Sequence, residues 1–193
     1  ASEHVRAKSK AAAPSDPKAD EYKEMKQRLL VSFSFLIPLL YLAMHHMLNM
    51  WFGLPVPGFI TAAFHGAENG VTFAFAQFLL LLPILYVNRK YYTVGFRTLI
   101  RRAPNMDSLI AVGSSAAVLY GIYAIFRIGY AAGHGDSGTA DLFLSELYFE
   151  SAGTILTLIT LGKYLESRSK GKTSDAIRKM IDLAPKTATV IRV

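Results

Sequence analysis

Residues 71–102 read VTFAFAQFLLLLPILYVNRKYYTVGFRTLIRR, and this stretch decides the fold. The first 17 residues carry no charge, whereas the next 15 carry five lysines and arginines. A membrane core is crossed by roughly 17–25 predominantly apolar residues in a helix. At this length only a helix satisfies its own backbone hydrogen bonds in lipid. The stretch therefore predicts a membrane-crossing helix followed by a basic segment at the membrane surface.

Three further apolar blocks are long enough to cross a membrane, namely 29–48, 109–126 and 142–165. With 71–87 they predict an all-α membrane protein with four transmembrane helices. The membrane part as a whole then covers about 29–186. Loops 49–70 and 128–141 join these helices in pairs.

The basic residues predict how this bundle sits in the membrane. Of the 21 lysines and arginines, seven lie in 1–28, five in 88–102 and eight in 163–193. Loops 49–70 and 128–141 contain none. Because cytosolic loops carry the excess of basic residues, both ends and the segment 88–108 are expected in the cytosol. Basic residues that flank apolar blocks indicate a lipid bilayer as the partner and no nucleic acid.

Four segments outside the spans have their own patterns. Residues 1–28 are polar and charged, as expected of a cytosolic arm or linker. Residues 88–102 interleave basic and apolar side chains like a helix lying on the membrane surface, and we call them the platform. Residues 166–184 are expected to continue the fourth helix as a cytosolic stalk. Residues 187–193 alternate weakly like a first strand.

Two glutamates on the fourth span are candidate functional residues. Glu150 lies eight residues inside the block, about 12 Å deep, where a carboxylate usually faces a cavity, a partner or an ion path. The alternative is that the span begins near Tyr148, which leaves Glu150 among the lipid headgroups. Glu166 follows about 24 Å further along the helix, too far for an acid–base pair. Spacing alone favours Glu166 as a solvated charge near Lys163 and Lys170.

Soft metal ligands are limited to methionine and histidine, because the chain has no cysteine. Met106 precedes the third span, where its thioether either binds copper(I) or packs. A second group at the outer end of the first helix either receives a thiophilic ion on exit or packs at the interface. It comprises Met44, His45, His46 and Met47, with Met50 nearby.

The platform offers Gly95, Arg97, Arg101 and Arg102 as candidate residues. Gly95 would permit a bend where the second span turns into the interface. The arginines would dock an acidic partner or anchor the segment on anionic lipid, and physical reasoning alone favours the lipid.

Five stretches, taken in order, resemble the heavy-metal P-type ATPases, specifically their copper-exporting branch. They are PNMDSL (104–109), YFESA (148–152), LGKYLE (161–166), SKGKTS (169–174) and LAPKTA (183–188). The resemblance covers about residues 29–193. It implies that the first two helices are a pair specific to this subclass and that the next two begin the common P-type core. The tail then leads into a β-rich actuator domain from about Thr187.

The same resemblance assigns roles. Met106 and Glu166 match the cytosolic uptake site for copper(I), and Glu150 matches the exit-side carboxylate. The platform matches the surface that receives metal from a copper chaperone or a metal-binding domain. The phosphorylation motif is absent, so this chain contains no catalytic residue, and MgATP would bind in the rest of the P-type core. The expected location is a bacterial plasma membrane.

Two alternatives stay open at this point. A silver pump or another heavy-metal pump shares most of these features. A non-catalytic four-helix membrane module, such as a sensor or an assembly subunit, shares the spans but predicts a natural stop near Val193. A strand broken at its start favours truncation instead.

Overall fold

The computed structural model describes residues 17–53, 58, 64 and 69–182. It contains α1 (Pro17–Phe52), α2 (Gly70–Val87), α3 (Arg89–Ile100), α4 (Met106–Gly133), α5 (Ser137–Ser145) and α6 (Phe149–Asp182). Four helical segments are long and apolar enough to cross a membrane: Tyr22–His45, Gly70–Val87, Met106–Gly133 and Ser137–Lys170. The predicted class is confirmed for the described residues, which form helices and include four segments capable of crossing a membrane. The predicted strand at 187–193 lies outside the described residues.

Specific contacts fix how the long helices run past one another. α1 and α2 are antiparallel, because Ser32 contacts Asn88 near one end and His45 packs on Phe73 near the other. α4 and α6 are also antiparallel. Lys163 pairs with Asp107 at one end, and Phe149 lies against Gly121 further along. We call the end of the bundle that carries α3 the platform end and the opposite end the far end.

The bundle has a narrow apolar core and an apolar surface. Leu39, Leu81, Ile84, Phe149 and Leu156 are fully buried where α1, α2 and α6 meet. Large apolar side chains on α4 remain exposed, with Leu109 at 77%, Leu119 at 67% and Phe126 at 73%. A soluble monomer rarely exposes so continuous an apolar surface. Lipid tails are the solvent that such a surface requires.

Several helices are longer than the sequence pattern predicts. α1 already begins at Pro17, so the last twelve residues of the predicted arm are helical. α4 runs past the predicted boundary at 126 to Gly133. α6 continues without a break to Asp182 and so includes nearly all of the predicted stalk. The extensions of α1 and α6 are rich in charged residues, since a helix can continue beyond the membrane into water.

The fourth crossing, predicted over 142–165, lies within the segment Ser137–Lys170, but its helix is interrupted. α5 ends at Ser145 and α6 begins at Phe149. The Phe149 ring occupies space that a side chain at position 121 would fill, since a Cβ on Gly121 would lie 2.5 Å from it. The Tyr120 hydroxyl donates to Glu146 Oε2 at 2.7 Å. These two contacts hold the 146–149 segment against α4 and interrupt the helix there.

Candidate functional site

The platform end is built on a close approach between α3 and α4. Gly95 is buried in the middle of α3, and a Cβ there would lie 2.3 Å from the Asp107 carbonyl oxygen. The chain turns at Asn88, between α2 and α3, and not at Gly95 as the sequence suggested. Gly95 therefore allows α3 to pack directly on the first turn of α4.

The first turn of α4 is fixed by side-chain capping. Asn105 Oδ1 accepts a hydrogen bond from the Ser108 backbone N–H at 3.0 Å, and the Asn105 N–H donates to Ser108 Oγ at 3.3 Å. This reciprocal pair satisfies amides that would otherwise lack partners. The Ser108 hydroxyl also donates to the Gly95 carbonyl at 2.9 Å. Met106 directly follows the cap, and its side chain is 59% exposed.

An ion pair joins this turn to α6. Lys163 Nζ lies 2.6 Å from Asp107 Oδ1 and 4.6 Å from the centroid of the Tyr91 ring. Glu166 lies one helical turn beyond Lys163, and its own carboxylate accepts from Lys170 Nζ at 2.6 Å. The structure thus places Met106 and Glu166 at the same end of two adjacent helices. The contact between those helices is made by their neighbours, Asp107 and Lys163.

The platform arginines lie on the surface of this end. Arg97 is the basic residue in the last turn of α3, and Arg101 and Arg102 follow it. All three are exposed. Arg102 has a φ of 55°, which is uncommon for a residue with a Cβ and marks the turn between α3 and α4. The arginines therefore form an exposed cationic edge beside Met106.

A buried polar cluster lies where the first residues of the platform meet α1 and α6. Asn88 is 1% exposed and its Nδ2 donates to Ser32 Oγ at 2.8 Å. Its Oδ1 accepts from the Thr160 hydroxyl at 2.8 Å, and Tyr91 lies 3.1 Å from the same hydroxyl oxygen. This polar cluster connects α1, the α2–α3 corner and α6. Its members are Ser32, Asn88, Tyr91 and Thr160.

Glu150 lies in the first turn of α6 and is half-buried. Its neighbour Phe149 packs on Phe78, which is eight residues inside α2. Glu150 is therefore roughly 12 Å from the far end of α2, close to the middle of that span. The helix does begin beside Tyr148, but α5 folds back along the outer half of the bundle and leaves Glu150 deep within it. About 24 Å of helix separates Glu150 from Glu166.

A second carboxylate, Glu146, lies four residues before Glu150 and was not predicted as a candidate residue from the sequence. Glu146 precedes α6 and accepts the hydrogen bond from Tyr120, whose ring also lies 5.5 Å from the Tyr148 ring. The sequence predicted position 146 to be inside a continuous helix. Only the interruption of that helix brings Glu146 to α4, so no local pattern pointed to it.

The predicted group at the outer end of α1 is divided between faces. His45 is buried, lies 2.9 Å from the Leu42 carbonyl oxygen through Nδ1, and packs edge-on against Phe73. Met44 and Met47 are exposed on a different face. The side chain of His46 lies outside the described residues. Where side chains are described, no three His, Asp or Glu residues lie close enough together to bind one metal ion.

Relatives of the chain were found among curated proteins. The chain is 38% identical over 171 residues to a probable copper-importing P-type ATPase of Enterococcus hirae, covering 88% of the chain and 20% of that protein. It is 32% identical over 188 residues to a copper-exporting P-type ATPase of Bacillus subtilis, covering 96% of the chain and 21% of that protein. A copper-transporting ATPase of Oryza sativa subsp. japonica is 34% identical over 89% of the chain and 16% of its own length.

The chain belongs to the heavy-metal P-type ATPases, in their copper-transporting branch. It spans about a sixth to a fifth of the length of these three relatives. No protein-family model and no solved structure matches it. Family membership excludes the alternative of an unrelated four-helix module. The helical bundle described above is therefore a membrane part of a P-type ATPase.

Proposed function

We propose that this chain is the N-terminal membrane part of an ATP-driven copper(I) exporter. In this proposal the platform end takes up copper(I) from the cytosol, and the ion leaves past Glu150 towards the far end. The observation that carries the proposal is the Asp107–Lys163 ion pair, which places Met106 and Glu166 at one end of α4 and α6. Glu150 lies on the same helix as Glu166 but far inside the bundle.

The uptake site would combine a soft and a charged ligand. Methionine thioether suits copper(I), and a carboxylate supplies the negative charge that attracts it. The exposed Met106 side chain is accessible to an incoming ion. Glu166 pairs with Lys170, which is also exposed, so copper would have to displace a surface ion pair of low strength. Further ligands would come from the rest of the P-type core.

Glu150 would act on the exit side. A carboxylate near the middle of a membrane span is costly unless it serves a partner or an ion path. Its position beside the interruption between α5 and α6 supports this role, because non-helical backbone at membrane depth is tolerated where it lines protein or water. Met44, His45, His46 and Met47 would contribute less, since His45 packs on Phe73 and Met44 and Met47 lie on another face.

The orientation follows from charge. Basic residues in 88–102 and 163–170 gather at the platform end, which supports a cytosolic position for that end. The proposed location is a bacterial plasma membrane. The exposed arginines Arg97, Arg101 and Arg102 would receive a copper chaperone or a metal-binding domain. The remaining P-type core, with an actuator domain that begins near Thr187, would bind MgATP and form the aspartyl phosphate.

Import is the second candidate direction, because the name of the Enterococcus hirae relative states it. Silver(I) is the second candidate ion, since it prefers the same soft ligands. Both alternatives use the same helical bundle. Import differs from the main proposal in the direction of transport, and silver(I) differs in the transported ion.

The uptake role is tested in the full-length protein by the copper dependence of ATP hydrolysis. Met106→Leu keeps the volume and removes the thioether, while Glu166→Gln keeps the shape and removes the charge. Each is expected to raise the copper(I) concentration for half-maximal stimulation on the order of tenfold, which corresponds to about 1.4 kcal/mol of binding free energy.

Leu109→Met is the matched control, because it adds a thioether on an exposed position of the same helix. It is expected to leave the copper dependence unchanged. Unaltered half-maximal concentrations in both test variants would refute the uptake role of Met106 and Glu166.

A further inference from the structure

A groove of about 720 Å³ lies between α1 and the corner that joins α2 to α3, outside the proposed copper path. Its cationic part is lined by Arg28, Arg89 and Lys90. Its apolar part is lined by Leu30, Val31, Tyr86 and Val87. One groove thus combines three basic side chains with an apolar wall.

The two parts are ordered along the helix axis. The hydrogen bond between Ser32 and Asn88 sets the level where α1 meets the corner. Arg28 lies one turn from Ser32 towards the platform end, and Arg89 and Lys90 directly follow Asn88. Leu30 and Val31 lie between Arg28 and Ser32 on α1, whereas Tyr86 and Val87 precede Asn88 on the side of the far end. Leu30 is 61% exposed and Tyr86 is 68% exposed. The cations therefore lie on the platform side of Asn88, and the apolar wall continues past that level towards the far end through Tyr86 and Val87.

The groove carries excess positive charge. Its one carboxylate is Glu24, which pairs with Arg28 on the same helix. The Arg89 guanidinium stacks over the Tyr86 ring at 5.1 Å from its centroid, which fixes it beside the apolar wall. Within the described part of the chain, neither Arg89 nor Lys90 forms an ion pair with a carboxylate. Two cations are thus available to one anionic ligand.

We infer that this groove binds an anionic phospholipid, with the phosphate between Arg28, Arg89 and Lys90 and an acyl chain along Tyr86 and Val87. Guanidinium and ammonium groups are the donors that recognise phosphate. An acidic protein segment would match the charge of the cations, but it would make no use of the apolar wall. A phospholipid satisfies both parts together. The inference depends on the bundle lying in a membrane and is independent of the transported ion.

Lipid titration followed by native mass spectrometry tests it. The full-length protein in neutral detergent is titrated with phosphatidylglycerol or with phosphatidylcholine, and the apparent affinity for the first bound lipid is read. Arg89→Gln/Lys90→Gln is expected to weaken phosphatidylglycerol binding by about tenfold or more. Phosphatidylcholine binding is expected to stay the same. Arg28→Gln is a second variant that leaves the α2–α3 corner untouched, and it is expected to weaken phosphatidylglycerol binding as well.

Arg101→Gln/Arg102→Gln is the matched control, because it removes the same charge from the same end of the bundle but outside the groove. It is expected to change the affinity less than about twofold. An equal loss in control and test variants would mean diffuse surface attraction and would overturn the inference. Displacement of the lipid by soluble glycerol phosphate at similar concentration would mean a free phosphate site and would also overturn it.

Two further readouts separate this inference from other outcomes. If a poly-glutamate peptide, and not phosphatidylglycerol, loses affinity in the groove variants, the groove docks an acidic protein segment and the inference is wrong. Copper-stimulated ATP hydrolysis is measured on the same samples in phosphatidylcholine. Failure of copper stimulation in the wild-type protein would count against the proposed function alone.

Discussion

At the scale of single residues, two glycines allow the closest approaches in the bundle. Gly95 lets α3 touch the Asp107 carbonyl, and Gly121 makes room for the Phe149 ring. The two contacts position Met106 and Glu150 respectively, because those residues are direct neighbours of Asp107 and Phe149. The sequence marks Gly95 as unusual within a basic amphipathic helix. It does not reveal that the reason is a neighbouring backbone rather than a bend.

Gly95→Ala is predicted to destabilise the protein by about 1–3 kcal/mol, as overpacking of a close contact usually does. The added Cβ would meet backbone, which cannot rotate away. The measurement is thermal unfolding in detergent. Gly113→Ala on α4 is the control, because nothing lies within 4 Å of a Cβ there. It is expected to be neutral or slightly stabilising, since alanine favours a helix over glycine. Equal stability of the two variants would contradict the account of Gly95.

At the scale of elements, the length and apolar character of the four spans were predictable, and their interruptions were not. The hydropathy of residues 142–165 predicts a membrane span. It contains no information on the contacts that Phe149 and Glu146 make with α4, which separate α5 from α6. α4 begins at Met106 with Asn105 as its cap, three residues before the apolar block that starts at 109. The apolar pattern thus locates the membrane-crossing part of each helix, whereas polar extensions and tertiary contacts decide where the helix itself begins, breaks and ends.

The polar cluster of Ser32, Asn88, Tyr91 and Thr160 joins α1, α2, α3 and α6 by hydrogen bonds. Asn88→Ala is predicted to cost about 1–3 kcal/mol, because it leaves the buried Ser32 and Thr160 hydroxyls without this partner. Combining it with Thr160→Val is expected to cost less than the sum of the two single changes. The measurement is again thermal unfolding in detergent. Strict additivity would show that the two side chains do not act as one cluster.

At the scale of the whole molecule, charge and depth define a direction. Basic side chains gather at the platform end, whereas Glu150 lies about 24 Å from Glu166 towards the far end. The sequence alone predicted the four spans and the candidate carboxylates. It also predicted Glu150 about 12 Å inside the fourth span, and the contact between Phe149 and Phe78 gives a similar depth. It did not predict that the helix is interrupted just before Glu150.

The most direct test of the central claim is ATP-driven copper(I) transport by the full-length protein in membrane vesicles. Inverted vesicles, whose cytosolic side faces the added ATP, are expected to accumulate copper. Glu150→Gln is expected to reduce the rate on the order of tenfold, while Glu24→Gln, a surface carboxylate outside the path, is expected to leave it unchanged. Accumulation that does not depend on Glu150, or ATP-driven loss of copper preloaded into the same inverted vesicles, would contradict an exporter that uses this path.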